Sequence, residues 1–460
     1  MPWVMCSAGN PPVTKGIAIP RHIAKSPLFR HALGIIKAIH ASGFQALFAG
    51  GFVRDLLLKR LEPGAEYDID IVTNAKPDAI RRIFQRTRLV GAQFGVVIVL
   101  AGGHQYEVAS FRSDGEYADG RHPTSIRYAS PKEDAKRRDF TINGMFLRPL
   151  AHQQQRAEVI DYVQGLTDLD NRLVRAIGSA HQRFAEDRLR MLRALRFATT
   201  LGFTVHGDTM AAIQAHASAI GDVSAERIAE ELQKAFCRAL HPERYLDLLD
   251  TSGLLAAILP EMSALRGTRF PGLYRGGSLF AHVHDMLQTC PLPADFSLVL
   301  AILFHDLAKP LDHKDHAAAG KDMAAGIMRR LKMSNQHIKT VTDMIAQHRR
   351  IYTLEQERPC RIIRFLAKDA IALHLELLRL NILASTRSLA VYNRLYQLYR
   401  EQAKQPLPPP LLTGHDLMAL GIPKGPRYAA ILAKVYDLQL EGDLTERDQA
   451  IRYVKGHFKQ

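Results

Sequence analysis

The sequence predicts an α+β fold: a head built on a small sheet with flanking helices, followed by a chain that is helical almost to its end. Three observations predict it. Short β-type runs bounded by glycine or proline are confined to the segment before Asp161. Beyond Asp161, long amphipathic segments rich in Ala, Leu, Arg and Glu take over. A chain of 460 residues is also too long for one core, so its helices divide among several packed units.

Taken in order, residues 1–28 hold Lys15, Arg21 and Lys25, no acid, and several prolines and glycines. They read as a loose leader without the apolar core of a signal peptide. The head spans residues 29–150. Leu33, Ile36 and Ile39 set a helical period, the apolar run Phe44–Ala49 a strand, Gly50-Gly51 a turn, and a second helix follows. Further strand-like runs lie at Tyr67–Val72, Val96–Leu100, Tyr106–Phe111 and Ser125–Tyr128. The rest divides into a helical neck (151–265), a helical body (266–370) and a helical tail (371–460). Proline clusters at Pro291–Pro293 and Pro406–Pro410 mark joints, and no repeat of solenoid length is present.

Composition narrows the class. No apolar stretch of about 20 residues exists, so no membrane span is expected. The excess of 61 Lys+Arg over 46 Asp+Glu, a net charge of +15, suits a polyanionic partner, nucleic acid first. Cys6, Cys237, Cys290 and Cys360 show no CxxC pairing, which argues against a disulfide framework or zinc knuckle and fits a reducing cytoplasm.

The chemistry concentrates in the head. Asp68 and Asp70 flank Ile69 in a β-type run, so both carboxylates share one face while Ile69 and Ile71 point into the core. Like charges that close call for a cation between them, and hard oxygen ligands select magnesium. Upstream, Gly50-Gly51-Phe52-Val53-Arg54-Asp55 sits at a strand-to-helix junction. There, backbone N–H groups can approach a triphosphate and Arg54 can add a charge-assisted contact. Glu107, in Tyr-Glu-Val, is either a third carboxylate beside the pair or an outward strand residue. In Lys136-Arg137-Arg138-Asp139-Phe140-Thr141-Ile142-Asn143, the two arginines can neutralise phosphate oxygens, while Asp139 and Asn143, four apart, share a helical face. Asp187, Arg190, Arg193 and Arg196 recur at intervals of three and form one helical stripe. That stripe is either a salt-bridged surface or a reader of base edges. A carboxylate accepts from the exocyclic amino group of cytosine or adenine, and a guanidinium donates to the adjacent ring nitrogen. Uracil and guanine would mispair with both groups, a mismatch worth roughly 10⁴-fold in selectivity.

On these motifs the chain resembles the polymerase β-like nucleotidyltransferases, specifically the bacterial class II tRNA nucleotidyltransferase and poly(A) polymerase family. The resemblance covers residues 44–240. It implies two magnesium ions at Asp68 and Asp70, sugar and triphosphate contacts from the Arg137-Arg138-Asp139 motif, and base reading by Asp187 and Arg190. It further implies that Arg193 and Arg196 lie near the phosphates or the base pocket, and that Ser224–Glu231 is a helix brace. The expected substrates are CTP, ATP and the 3′ end of tRNA, with CCA addition as the activity. Alternatives are a poly(A) polymerase or an enzyme that adds only CC or only A. The stretch Phe111–Tyr117 with Arg121-His122-Pro123 is closer to the tRNA enzymes.

Farther along, His282, His305-Asp306, His316 and His348 follow an order that resembles HD-type metal phosphohydrolases, and their imidazoles suit a transition metal. Asn381 stands where that family has a final aspartate. Hydrolysis, metal binding without hydrolysis and a structural remnant all stay open, as does a phosphohydrolase whose head serves only to bind RNA. In the tail, Leu411–Asp416 and Gly421–Pro426 suggest two helices joined by a glycine turn, a tRNA contact or plain packing. Oligomeric state is not legible.

Overall fold

The computed structural model describes residues 11–65, 67–89, 95–114, 126–150, 155–269, 277–311, 316–404 and 407–458. They form two compact units, residues 1–258 and 259–460, against an expected neck–body edge at 265. Part of the Phe111–Tyr117 stretch and all of Arg121-His122-Pro123 lie outside the described residues.

The first unit opens with β1 (Val13–Ala18), α1 (Arg21–Lys25) and α2 (Pro27–Ala41). Helix α2 starts where Ser26 accepts a hydrogen bond from Phe29 N and Pro27 takes the first turn. It buries Phe29, Ala32, Ile35, Ile36 and Ile39, one helical face, under the sheet. Then come β2 (Ala46–Ala49), α3 (Gly51–Leu57), β3 (Asp70–Thr73), α4 (Pro77–Ile83), β4 (Thr87–Leu89), β5 (Val96–Ala101) and β6 (His104–Ser110). A hairpin of β7 (Arg112–Asp114) and β8 (Ile126–Tyr128), helix α5 (Pro131–Arg137), β9 (Phe146–Pro149) and β10 (Arg156–Asp161) complete the head.

The eight-stranded sheet runs β1-β10-β9-β2-β3-β6-β5-β4, and only β3 and β6 pair in parallel. β2 is buried at every position, as a central strand covered on both faces must be. The expected leader is corrected here. Val13–Ala18 is an edge strand paired along its whole length with β10, so the sheet extends from residue 13 to residue 161 rather than starting at 29. Its side chains are nearly all exposed, so it has no apolar alternation to read, and backbone pairing alone holds it. Strand β10 likewise extends the head past its expected edge at 150.

The neck follows in the same unit: α6 (Gly165–Asp170), α7 (Ala180–Glu186), α8 (Leu189–Leu201), α9 (Gly207–His216), α10 (Ala225–Arg238), α11 (Pro242–Thr251) and α12 (Leu254–Ile258). Helix α8 ends at Gly202, whose φ of 69° is a left-handed cap that costs glycine nothing.

The second unit is all helical, as expected: α13 (Pro260–Ser263), α14 (Leu279–Gln288), α15 (Phe296–Phe304), α16 (His316–Arg330), α17 (Asn335–Gln347), α18 (Pro359–Leu366), α19 (Ile371–Leu383), α20 (Ala390–Gln402), α21 (Gly414–Ala419), α22 (Arg427–Leu440) and α23 (Arg447–Phe458). α15 is buried at every position and packs against α14, α17 and α19. Among the described residues, no helix is long and apolar enough to cross a membrane.

Candidate nucleotidyl-transfer site and metal cluster

The head site forms where the end of β2 and the start of β3 lie beside the middle of β6. Ile69 and Ile71 are buried, Asp68 is exposed and Asp70 half-buried, the alternation expected of the strand. The β3–β6 register pairs Ile71 with Val108, and one step back along both strands sets Asp70 beside Glu107. Glu107 is therefore both an outward strand residue and a neighbour of the pair. The crowding shows in the chemistry. Burial first, then Glu107 and Asp68, push the Asp70 carboxyl up to about 6, against the opposing pull of Arg138. Three converging carboxylates with that repulsion fit a hard divalent cation such as magnesium, which would neutralise them.

Gly50 closes the site from the β2 side. Its φ of 69° admits only glycine comfortably, and a Cβ there would lie 2.9 Å from Asp70 Oδ2 and 3.6 Å from Arg138 Nη1. Arg54 does not stand open toward a phosphate. It is buried, bidentate to Asp55 at 2.9 and 2.8 Å, and donates to Asn143 Oδ1 at 2.7 Å. Asn143 in turn donates to Asp139 Oδ1 at 3.1 Å, and Arg193 donates twice to Asp139 Oδ2, at 2.5 and 3.0 Å. Burial alone would raise Asp139, but Arg193 and Asn143 hold it down to about 2. Asp139 and Asn143 meet as expected, though not on a helical face. α5 ends at Arg137, Arg138 is extended, and a single 3₁₀ turn, Thr141–Asn143, brings the amide back.

Asp134, which the sequence reading missed, organises the arginine motif. It is fully buried, with Arg137 bonded to one carboxylate oxygen and Arg138 to the other. Its spacing, three and four residues before the two arginines, is the helical ion-pair signal that could have found it.

The stripe of four is also corrected. Asp187 is not in the helix with the arginines: it sits in an extended break between α7 and α8, where its Oδ1 accepts from Leu189 N at 3.1 Å. Arg190, Arg193 and Arg196 do lie on α8, and Arg190 N bonds Asp187 O at 3.1 Å, so the two stay within one turn. Each has an internal partner: Arg227 for Asp187 at 2.9 Å, Glu186 for Arg190 at 2.7 Å and Glu231 for Arg196 at 2.6 Å. Arg227 and Glu231 both belong to α10, so the Ser224–Glu231 segment is a brace in the literal sense.

Residues 46–175 match the family model described as Poly A polymerase head domain, and residues 202–265 that described as probable RNA and SrmB- binding site of polymerase A. Both matches fall in the head and neck, and both are to models of poly A polymerase regions. The CCA-adding enzyme of Streptococcus thermophilus (strain CNRZ 1066) is 44% identical over 207 residues, 45% of this chain and 49% of its own length. That of Geobacillus kaustophilus (strain HTA426) is 41% identical over 239 residues, 52% of this chain and 56% of its own. The chain thus spans about half the length of the curated relatives it matches. The crystal structure of Bacillus stearothermophilus CCA-adding enzyme in complex with CTP superposes with a TM-score of 0.72 at 26% identity, covering 94% of this chain and 99% of that one. The Thermotoga maritima CCA-adding enzyme, at 18% identity and a TM-score of 0.62 over 96% of this chain and 99% of that one, shares the fold.

In the second unit the structure brings together all five residues of the histidine series. His282 lies on α14, His305 and Asp306 follow α15, His316 opens α16 and His348 caps α17, and all are buried. Their ligand atoms fall into two groups that share Asp306, each within 4.8 Å. Nδ1 of His282, His305 and His348 lies 3.2, 3.0 and 2.6 Å from the carbonyls of Ala384, Ile302 and Ile345. Donation there fixes the tautomer and leaves each Nε2 as a lone pair. His305 Nε2 is buried, makes no hydrogen bond and lies 3.4 Å from Asp306 Oδ2. Burial, with His305 beside it, lowers His282 to about 3. Burial would raise Asp306, but the imidazoles hold it well below the carboxylate range. A neutral His282 beside an ionised Asp306 gives those two groups the protonation states a metal requires. Asn381 lines the same pocket of about 240 Å³ as Asp306, His316 and His348.

Proposed function

We propose that the chain transfers CMP and AMP from CTP and ATP to the 3′ end of tRNA, completing or repairing its CCA end and releasing pyrophosphate. The observation that carries this is the convergence of Asp68, Asp70 and Glu107 beside the Gly50 turn and Arg138. Magnesium held by Asp68 and Asp70 supplies the charge that eases attack of the RNA 3′-hydroxyl on the α-phosphate. Gly50 and Gly51 let the backbone approach the triphosphate. Arg137 and Arg138, anchored by Asp134, face its charge with orientations already fixed. Arg54 and Asn143 hold Asp139 at the nucleotide's sugar, and Arg193 ties that aspartate to α8. Asp187 and Arg190 read the base edge, with Arg193 and Arg196 beneath it. The family likeness favours this over poly(A) synthesis or addition of CC or A alone. One gel tests it: tRNA lacking CCA, tRNA ending in C, tRNA ending in CC and unrelated RNA, each with single NTPs. CMP and AMP should enter only the trimmed tRNAs, and Asp68→Ala should abolish incorporation. Incorporation that survives Asp68→Ala refutes the mechanism.

For the second unit, the buried His305 Nε2 supports a divalent transition metal bound by His282, His305, Asp306, His316 and His348. Cyclic-phosphate hydrolysis that survives Asp68→Ala, in a chain that adds no nucleotide, would replace the first proposal with a phosphohydrolase.

A further inference from the structure

An open pocket of about 560 Å³ adjoins the outer carboxylate of the head site. His22 and Ser26 from the α1–α2 segment, Gly64 and Tyr67 from the loop before β3, and Gln105 from β6 surround it, with Asp68 as a shared wall. The Ser26 and Tyr67 hydroxyls lie 3.1 Å apart, and His22 Nε2 lies 2.7 Å from Leu61 O, so the wall is held in place from within.

Its position follows from the strands. Gly50 and Arg138 stand at Asp70, so the triphosphate end of the site is at Asp70. Arg190 Nη2 bonds Arg137 O at 3.4 Å, so the base reader lies on that same arginine-motif side. The pocket lies the other way, past Asp68, and same-face positions on a strand are only about 7 Å apart. Gln105 shares the Glu107 face of β6, and Ile69 and His104 close the pocket from the opposite face, so the pocket wraps the edge beside the carboxylates. In-line displacement needs the attacking hydroxyl opposite the departing pyrophosphate, which is the pocket's side of the metal site.

Its chemistry separates an RNA end from a second triphosphate. Among the described lining residues there is no lysine or arginine; the polar groups are imidazoles, hydroxyls, the Gln105 amide and the acids Glu62 and Asp68. Such a wall recognises ribose hydroxyls and base edges and does not attract phosphate. We propose that this pocket receives the 3′-terminal nucleoside of the RNA acceptor, placing its 3′-hydroxyl at Asp68 and Glu107. The inference rests on nucleotidyl transfer as the function.

The test uses the full chain with Ala65→Trp, which fills the exposed rim, and Gln105→Ala, which removes one hydrogen-bonding group. KM for tRNA lacking CCA should rise about tenfold in the first and about fivefold in the second, while KM for CTP stays within about twofold. CTP binding without RNA, by equilibrium dialysis, should not change. An acceptor KM within about twofold of the parent in the folded variants, or CTP binding that weakens in step, overturns the assignment. Should Ala65→Trp fail to fold, Gln105→Ala decides alone. If the parent chain extends no RNA at all, the function itself falls and the pocket's role with it, an outcome distinct from an unmoved KM.

Discussion

Replacing Asp70 by asparagine should make the metal-free protein more stable and leave it blind to magnesium. Asp70 is pushed from 3.8 up to about 6, by burial first and by its neighbouring carboxylates next. At low pH both the native and the unfolded chain carry the proton, and the group costs nothing. As pH rises the unfolded chain ionises first, so stability is lost until the native carboxyl also ionises near pH 6. A gap of about 2.2 pH units at about 1.36 kcal/mol each gives a penalty of about 3 kcal/mol above neutrality and about 1.6 kcal/mol at pH 5. Asparagine does not ionise, so Asp70→Asn escapes that penalty. Urea unfolding followed by far-ultraviolet circular dichroism, in EDTA, should show the variant ahead at both pH values, with the larger lead at about pH 7.5. Added magnesium should stabilise the parent through binding to its native state and leave the variant unmoved. A lead that does not grow with pH, or equal stabilisation of both proteins by magnesium, refutes the electrostatic account of the carboxylate cluster.

Gly50→Ala puts a Cβ 2.9 Å from Asp70 Oδ2 at a φ of 69°, so kcat should fall by about 10²-fold or more, with the fold retained by circular dichroism. Asp134→Asn leaves Arg137 and Arg138 without their buried counter-charge and should destabilise by about 3 to 5 kcal/mol, read from urea midpoints, with CTP affinity falling as well. His305→Ala should lower the transition-metal content measured by elemental analysis of the purified protein, while CMP addition stays within about twofold of the parent.

The parts of the site that were legible in the sequence are those whose spacing fixes geometry by itself. Asp68 and Asp70 share a face because any strand alternates, and Gly50 precedes a helix because a glycine pair ends an apolar run. The histidine series converges although its members span residues 282 to 348, because each lies at or near a helix end in a bundle around the buried α15. Illegible parts depend on partners distant in sequence. Strand β1 shows no apolar alternation because one side of it faces solvent and the other only β10. Glu231 meets Arg196 across 35 residues, a pairing that no period announces. The break at Asp187 looked like continuous helix because spacing of three is compatible with it. The extended φ and ψ of −146° and 104° show the break, and the bond from Leu189 N shows the carboxylate turned to the first turn of α8.

That break bears on how a base can be read without a template. A carboxylate and a guanidinium left bare in a cleft would be costly, and bonding each to the other would spoil both as readers. In this structure neither occurs: Asp187 Oδ2 is held by Arg227, and Arg190 by Glu186. These are partly buried pairs, so a Watson–Crick edge on the proposed function has to offer hydrogen bonds in place of each partner it displaces. Asp139 differs. It accepts two bonds from Arg193, one from Asn143 and one from Phe140 N, and the pull to about 2 keeps it ionised throughout the neutral range. The guanidinium groups of Arg54, Arg193 and Arg196 also crowd the Phe197 ring at 4.9, 5.4 and 4.2 Å, which ties Arg54 and the Asp139 network to α8. The site therefore combines a rigid frame with exchangeable tips. On the proposed function, a frame shared by both nucleotides and tips that re-pair for each are what selecting C and A alike would demand, since the two bases present the same donor and acceptor pair on rings of different size.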